Sequence, residues 1–363
     1  MSIFQTRPAL RWLVPSGAAL AILGGGAAIG TFASAAAPNL PERSAAQLLV
    51  DLQTAHLDGL SGTVIKRADL GLPSLPGLGG QGNAELASLV SGTHTLRVWH
   101  AGPDQTRVAL LGTLGETDVI RNGRDVWVWD SQAEQAEHRT LDGSSRPTGQ
   151  LPTTPQEAAE QALAAVAPST RVSVGRSATV AGRDAYELVL EPRESASLVG
   201  QITIAIDAAE HVPLRFQVVP RSTSKPAFEV AFTQVDFARP DPAQFVFNPP
   251  PGTVVTEAED SHPAGRPALP AELERPTVVG SGWLSVLVAK VPQLAATPGP
   301  ETGDTGADLA RGLLGGLPEV SGEWGAGRIL SGSLFTALLT DDGRVLVGPV
   351  TPERLYEVAQ STR

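Results

Sequence analysis

The sequence predicts an α+β protein. A strongly curved antiparallel sheet forms an unclosed, half β-barrel with a helical lid, and a small α+β domain follows it. Three observations predict this fold. Short segments of alternating apolar and polar residues recur between residues 62 and 233, separated by Gly, Pro, Asp and Asn. Only two segments before residue 254 have the spacing of an amphipathic helix. The alternation then restarts after residue 276.

Two helices are predicted in the larger part of the chain. Ser44 and Gln47 form a capping-box pair, and leucines follow at helical spacing. The second helix is predicted over residues 157–166, because Pro155 lies at its first turn and Pro168 lies beyond its end. Both helices are short, so most of the fold must be sheet.

The strands fall into two groups. The first group covers residues 62–68, 93–100, 105–111, 117–121 and 125–130, and Asn122-Gly123 is a hairpin signal between the last two. In the second group, alternate apolar residues share one face: Tyr186, Leu188, Leu190, Ile202, Ile204, Ile206, Leu214, Phe216, Val218, Phe228, Val230 and Phe232. Their neighbours are mostly polar, which predicts an antiparallel sheet with one face in water.

The apolar face of this sheet is too wide for two helices to cover. About ten strands at about 4.8 Å make a sheet about 48 Å wide, whereas two helices of about 10 Å cover less than half of it. We therefore expect the sheet to curl over its own apolar face into an incompletely closed barrel. Such a barrel leaves an apolar cleft for an apolar ligand. A sheet sealed by its own side chains and loops is the alternative.

Residues 1–37 are predicted to be a signal peptide or an N-terminal membrane anchor. The run 12–37 has no charged side chain, Arg7 and Arg11 precede it, and Ala33-Ser34-Ala35 offers a cleavage site. The run is long enough to span a bilayer, but its glycine triplet and Ala-rich end favour cleavage. In either case the rest of the chain is expected outside the cytoplasm, secreted or anchored to the cytoplasmic membrane.

The exported chain is predicted to contain two domains. Residues 38–254 form the unclosed barrel, residues 255–275 form a linker rich in Glu, Pro and Ala, and residues 276–363 form the small domain. The elements predicted in the small domain are strands near 283–290, 319–323, 333–340 and 344–348 and helices over 307–314 and 352–360.

The composition excludes several classes of function. Thirty-eight acidic against 27 basic side chains give a net charge of −11, which removes the main attraction for nucleic acid. The absence of cysteine excludes disulfides, thiolate metal sites and a lipidated N-terminal cysteine. The six histidines show no zinc-binding spacing, and neither a nucleophile elbow nor a P-loop is present. The sequence therefore predicts no enzymatic activity, no catalytic or metal-binding residues, no cofactor and no nucleic-acid partner.

Aromatic residues provide the first candidates for a binding site. Trp127 and Trp129 lie on one face of a strand, and Trp99 on an earlier strand can join them. They either line a hydrophobic cleft or serve as large core residues, and the sequence leaves both readings open. The residues predicted to line the cleft are Trp99, Trp127, Trp129, Leu188, Ile204, Phe216 and Val230.

The segment 70–82, between the first two strands, is rich in glycine yet contains Leu72, Leu75 and Leu78. An exposed Gly-rich segment normally has fewer leucines, which favours a lid over the cleft or a loop that touches a membrane. An insertion without a role in function is the alternative.

The order of these segments resembles the LolA-like lipoprotein-carrier superfamily, which includes the MucB/RseB-type regulators. The segments that carry the resemblance are Asp118–Gly123, Val126–Asp130, Val180–Leu190 and Phe245–Gly252. The resemblance covers about residues 44–254. It implies an unclosed antiparallel barrel with a helical lid and a cleft that holds the acyl chains of a lipid or lipoprotein.

Residues 276–363 are similar in placement to the small C-terminal domain of the RseB type. A simple carrier lacks such a domain. The resemblance therefore implies a lipid- or lipoprotein-binding carrier or sensor of the cell envelope that contacts a membrane-protein partner such as an anti-sigma factor. A ligand-free protein-interaction module of the cell envelope is the alternative.

Overall fold

The structure is a computed structural model that describes residues 38–71, 92–112, 115–141, 169–257, 276–290 and 316–362. Several predicted features lie outside these residues: the N-terminal segment 1–37, the helices over 157–166 and 307–314, and the lid residues Leu72, Leu75 and Leu78. Within the described residues, no helix is both long enough and apolar enough to cross a membrane.

The described chain contains two α-helices and two sheets. Helix α1 spans Ala45–Thr54 and helix α2 spans Pro352–Ser361. The strands of the large sheet are β1 Leu60–Ala68, β2 Gly92–His100, β3 Gln105–Leu111, β4 Glu116–Asn122, β5 Asp125–Asp130, β6 Gln135–Thr140, β7 Thr170–Val174, β8 Ala178–Val180, β9 Arg183–Pro192, β10 Val199–Asp207, β11 Pro213–Pro220, β12 Phe228–Asp236 and β13 Val254–Glu257. Those of the small sheet are β14 Thr277–Val279, β15 Val286–Lys290, β16 Glu319–Gly322, β17 Gly325–Ser331, β18 Thr336–Thr340 and β19 Arg344–Gly348. Short 3-10 helices span Pro242–Phe245 and Gly282–Leu284.

Helix α1 begins where the sequence predicts. The Ser44 hydroxyl accepts a hydrogen bond from the Gln47 amide at 3.2 Å, and the Gln47 side chain accepts one from the Ser44 amide at 2.8 Å. These are the two halves of a capping box. Leu48 of the helix is buried in one cluster with Tyr186, Leu188 and Ile206 of the sheet. Helix α1 therefore covers the part of the sheet formed by β9 and β10.

The large sheet is antiparallel apart from one pair, and it does not close. Its strand order is β13-β6-β5-β4-β3-β2-β1-β12-β11-β10-β9-β7, and β8 pairs with β9. Strand β13 runs parallel to β6. In the part of the chain that the structure describes, the terminal strands β13 and β7 are not paired with each other. The predicted α+β fold with an unclosed barrel and a second small domain is confirmed.

The sheet is strongly curved. In a flat sheet, the four ladder steps from β8 to β12 would separate these strands by about 19 Å. The two strands are instead in contact, and Val180 of β8 shares one buried cluster with Val64, Val98 and Phe232. Because the sequence has too few helices to cover the apolar face, strands that are not neighbours in the ladder must bury apolar surface against each other.

The small domain packs helix α2 on one face of its six-stranded sheet. Its buried cluster includes Val286, Trp324, Leu338, Leu346, Leu355 and Val358. The Arg344 guanidinium of β19 donates to the Ala359 carbonyl at 2.7 Å and so ties the end of α2 to the sheet. Strand β17 is absent from the sequence prediction, because Gly325 and Gly327 interrupt its alternation.

Backbone hydrogen bonds join the two domains. The Leu198 amide donates to the Pro349 carbonyl, and the Thr351 amide donates to the Ala196 carbonyl, each at 2.9 Å. The indole Nε1 of Trp283 donates to the Thr170 hydroxyl at 2.6 Å. Strand β13 extends the large sheet into residues 255–257, which the sequence assigns to the linker.

Candidate ligand-binding face

The pairing register places four of the predicted site residues in one row. Leu188, Ile204, Phe216 and Val230 are successive cross-strand partners in β9, β10, β11 and β12. Cross-strand partners lie on the same face of a sheet. Because helix α1 packs on Leu188, we call this side of the large sheet the α1 face.

A second row lies beside the first on the α1 face. Its members are the partners Leu190, Ile202, Val218, Phe228 and Ala68. Leu188, Val230 and Ile202 are buried, whereas Ile204, Phe216, Val218 and Phe228 are half-buried. The half-buried side chains lie mostly on β11 and β12, next to the part of the sheet that α1 covers. In this stretch the described chain leaves apolar surface of the α1 face partly exposed.

The three predicted tryptophans lie on the opposite side, which we call the tryptophan face. Trp99 and Trp127 belong to a row of cross-strand partners that ends at His138. Val230 pairs with Lys66 of β1, and Lys66 pairs with His94 of β2, so His94 lies on the α1 face. Trp99 is five residues from His94 in the same strand. An odd separation in a strand reverses the face. The seven residues predicted to line one cleft are therefore divided between two faces, because the register joining distant strands cannot be read from alternation within each strand.

Side chains of the chain itself cover the tryptophan face. The Trp127 ring stacks on His138 with centroids 4.2 Å apart, and Phe247 lies 5.2 Å from Trp127 and 5.8 Å from Trp129. The 3-10 helix Pro242–Phe245 contacts β3 and β4 and buries Phe245. Trp99, Trp127 and Trp129 are half-buried in this environment.

Charged groups of β3 and β4 on the tryptophan face form ion pairs. Asp118 is buried and accepts a hydrogen bond from the Arg107 guanidinium at 2.6 Å. The same guanidinium lies 5.2 Å from the Trp99 ring centroid. Burial and the neighbouring Asp118 carboxylate raise the pKa of Glu116. Among the residues that the structure describes, no group of three or more His, Asp or Glu side chains could hold a metal ion.

Lys66 is a residue of the α1 face that the sequence analysis missed. It lies between Val230 and His94 in the first row and is 7% exposed, with its Nζ 5.7 Å from the Phe228 ring centroid. Burial lowers the pKa of its amine. The sequence does carry a signal: Lys66 occupies the same strand phase as Val64 and Ala68, where alternation predicts an apolar residue.

A second titratable group lies at the far end of the α1 face. His100 pairs with Leu60 across β1 and β2, and its Nδ1 is buried with no hydrogen-bond partner among the described residues. Burial lowers the pKa of the imidazole, which favours the neutral ring.

The fold and this face define a class: an unclosed antiparallel barrel with one apolar face under a helix, joined to a small sheet domain. Residues 89–250 match the family model of the MucB/RseB N-terminal domain. Over these residues the chain is similar to MucB/RseB-type proteins, and the resemblance predicted from the sequence is confirmed.

Solved structures with a similar chain include MucB in its complex with MucA from Pseudomonas aeruginosa. The sequence identity is 16%, the similarity covers 87% of this chain and 96% of that chain, and the TM-score is 0.46. For a crystal structure of MucB alone, the sequence identity is 15%, the similarity covers 86% of this chain and 94% of that chain, and the TM-score is 0.39. For a LolA superfamily protein from Nitrosomonas europaea, the sequence identity is 13%, the similarity covers 57% of this chain and 99% of that chain, and the TM-score is 0.23. No curated protein sequence matches the chain.

Proposed function

We propose that this protein binds a lipid or the acyl chain of a lipoprotein on the α1 face, outside the cytoplasm. The observation that carries the proposal is the apolar row Leu188, Ile204, Phe216 and Val230, in which Ile204 and Phe216 are half-buried beside the part of the sheet that α1 covers. Each buried methylene contributes about 0.8 kcal/mol. Eight of them would contribute about 6 kcal/mol, which is enough to offset the lower estimates of the cost of association.

The location follows from the N-terminal part of the sequence. An uncharged run behind two arginines is typical of a segment that directs export, and the positive-inside rule then places the following domains outside the cytoplasm. The match to a MucB/RseB N-terminal domain supports a role in the cell envelope. Whether the protein is secreted or stays anchored depends on cleavage after residue 35 or nearby.

The small domain supports a regulatory role rather than simple transport. Two of its backbone hydrogen bonds to the large sheet are made at Ala196 and Leu198, which lead directly into β10, the strand that carries Ile202 and Ile204. A ligand that displaces β10 would therefore act on the backbone bonds to the small domain. We propose that this coupling reports occupancy of the α1 face to a membrane-protein partner of the anti-sigma-factor type.

The proposal is tested by titrating the purified protein with a fluorescent acyl probe, dansylundecanoic acid. Phe216→Glu places a carboxylate on the α1 face and is expected to weaken binding by about tenfold or more, because the charge must be buried against the chain. Gln217→Glu is the matched control, since it adds the same charge on the next residue of β11, on the opposite face. Its affinity is expected to stay within about twofold of the wild type. Circular dichroism checks that both variants fold.

Absence of binding by the wild type, or equal binding by Phe216→Glu, would overturn this function. A ligand-free interaction module would then be favoured. Val278 and Leu287, cross-strand partners that are 41% and 43% exposed on the small sheet, are the observation that supports it. In that case a membrane-protein partner is expected to bind the wild type and Phe216→Glu equally.

A further inference from the structure

We propose that Lys66 recognises the anionic group of the bound amphiphile, so that this protein selects acyl chains bearing a carboxylate or phosphate over neutral ones. The inference rests on the proposed lipid-binding function and adds to it the chemical class of ligand and the residue that distinguishes that class.

The first argument is the contrast between Lys66 and the other buried charges. Four charged side chains of the described residues are buried: Lys66, Asp118, Asp207 and Arg344. Asp118 is paired with Arg107, Asp207 with Arg183, and Arg344 with Asp342. Within the same described residues, the Lys66 Nζ has no hydrogen-bond partner. Buried charges in proteins are normally paired, so a bound anionic group is a suitable partner for the Lys66 ammonium.

The second argument is the position of the amine. Lys66 continues the row Leu188, Ile204, Phe216 and Val230 at its β1 end. An acyl chain lying over the half-buried Ile204 and Phe216 and running toward β1 would bring its head group to the Nζ. The ammonium group offers three donors and no acceptor, so it matches the oxygens of a carboxylate or a phosphate. A neutral ester or alcohol offers weaker acceptors and no charge.

Arg67, the next residue, provides the matched comparison. It points to the opposite face, is exposed, and lies 3.5 Å from Glu229. Substitution of either residue by methionine removes one positive charge from β1 and keeps a long unbranched side chain. Only the Lys66 substitution removes the charge from the α1 face. A change in ligand selectivity limited to Lys66→Met therefore cannot come from the net charge of the protein.

The experiment compares dansylundecanoic acid with its methyl ester, which has the same chain and fluorophore but no charge. The wild type and Arg67→Met are expected to bind the acid about tenfold more tightly than the ester. Lys66→Met is expected to lose this preference while it binds the ester within about twofold of the wild type. Inorganic phosphate is expected not to displace the acid, because a free anion lacks the chain that places it beside the amine.

The outcomes separate the two proposals. If the wild type binds both probes equally, or if Lys66→Met keeps its preference for the acid, the role of Lys66 is overturned and lipid binding stands. If neither probe binds, the lipid-binding function itself fails. If inorganic phosphate displaces the acid, the site recognises a free anion and the selection of acidic amphiphiles is overturned.

A second measurement follows the amine directly. The chain has three lysines, Lys66, Lys225 and Lys290, so the Cε resonances of protein labelled with ¹³C-lysine can be assigned with Lys66→Met. The Lys66 signal is expected to titrate below the ordinary range of a lysine, because burial lowers its pKa, and this pKa is expected to rise when the acid binds but not when the ester binds. An unchanged titration with the acid would refute the contact. The melting temperature of ligand-free Lys66→Met is expected to equal or exceed that of the wild type, which controls for folding.

Discussion

The turn that joins β10 to β11 depends on one buried ion pair, and Asp207→Asn tests its contribution to stability. Asp207 is 1% exposed at the end of β10. Its carboxylate accepts two hydrogen bonds from Arg183, one of them at 3.0 Å, and two from the backbone amides of Ala209 and Glu210 at 2.9 and 2.8 Å. The Arg183 guanidinium in turn lies 4.5 Å from the Phe237 ring centroid. The substitution thus removes the charge at the centre of a connected group.

The magnitude follows from the burial of the two partners. Removal of one partner of a buried pair typically costs about 3–5 kcal/mol. The Arg183 side chain is 33% exposed, so solvent screens part of its charge, and asparagine still accepts some of the hydrogen bonds. We therefore expect Asp207→Asn to lower the free energy of unfolding by about 2–3 kcal/mol near neutral pH.

The pH dependence of this difference has a definite sign. Burial alone would raise the pKa of Asp207, but the hydrogen bonds from Arg183 and from the backbone amides of Glu210 and Ala209 outweigh it and lower the pKa. The stabilisation is therefore complete above the unfolded pKa of about 3.9 and is lost as the pH falls through the folded pKa. The difference between wild type and variant is expected to be constant from about pH 7 to pH 5 and to shrink by about pH 3.

Urea unfolding followed by circular dichroism at the three pH values measures these quantities. Asp184→Asn is the control, since it removes the same charge from an exposed position on the neighbouring strand β9 and is expected to change stability by less than about 0.5 kcal/mol. A loss below about 1 kcal/mol for Asp207→Asn at neutral pH, or a loss that does not shrink in acid, would refute the reasoning.

Two further substitutions test other contacts. The ring nitrogens of His138 lie 2.8 Å from a Glu257 carboxylate oxygen and 3.1 Å from an oxygen of a second carboxylate. His138→Gln is therefore expected to weaken the attachment of β13 and to accelerate hydrogen exchange of the β13 amides about fivefold, which corresponds to about 1 kcal/mol. Unchanged exchange would contradict this. Trp283→Phe removes the indole donor to Thr170 between the domains and is expected to cost about 1 kcal/mol. In a double-mutant cycle with Thr170→Val the two losses should not add, and additive losses would show that the bond contributes nothing.

Local elements were predictable because their signals are local. The capping box at Ser44 and Gln47 forms as expected. The Asn122-Gly123 hairpin also forms, with Gly123 at a φ of 65° that the turn requires. The strands with regular alternation, such as β9 and β10, contain the alternate apolar residues that the sequence assigned to one face. Strands without it, such as β8 and β13, were not predicted, because they are held by pairing with neighbours rather than by an apolar pattern of their own.

The sequence by itself determined the class of fold, since alternation, turn residues and the shortage of helices leave a curved sheet as the way to bury so much apolar surface. Tertiary structure alone decided which residues share a face. Strand β1 pairs with β12, more than 150 residues away, and a one-residue change in that register would exchange the two faces. For that reason the sequence could group Trp127 with Val230, although they lie on opposite sides. The same long-range register brings Lys66 into an apolar row beside Val230, where its burial without a partner becomes visible.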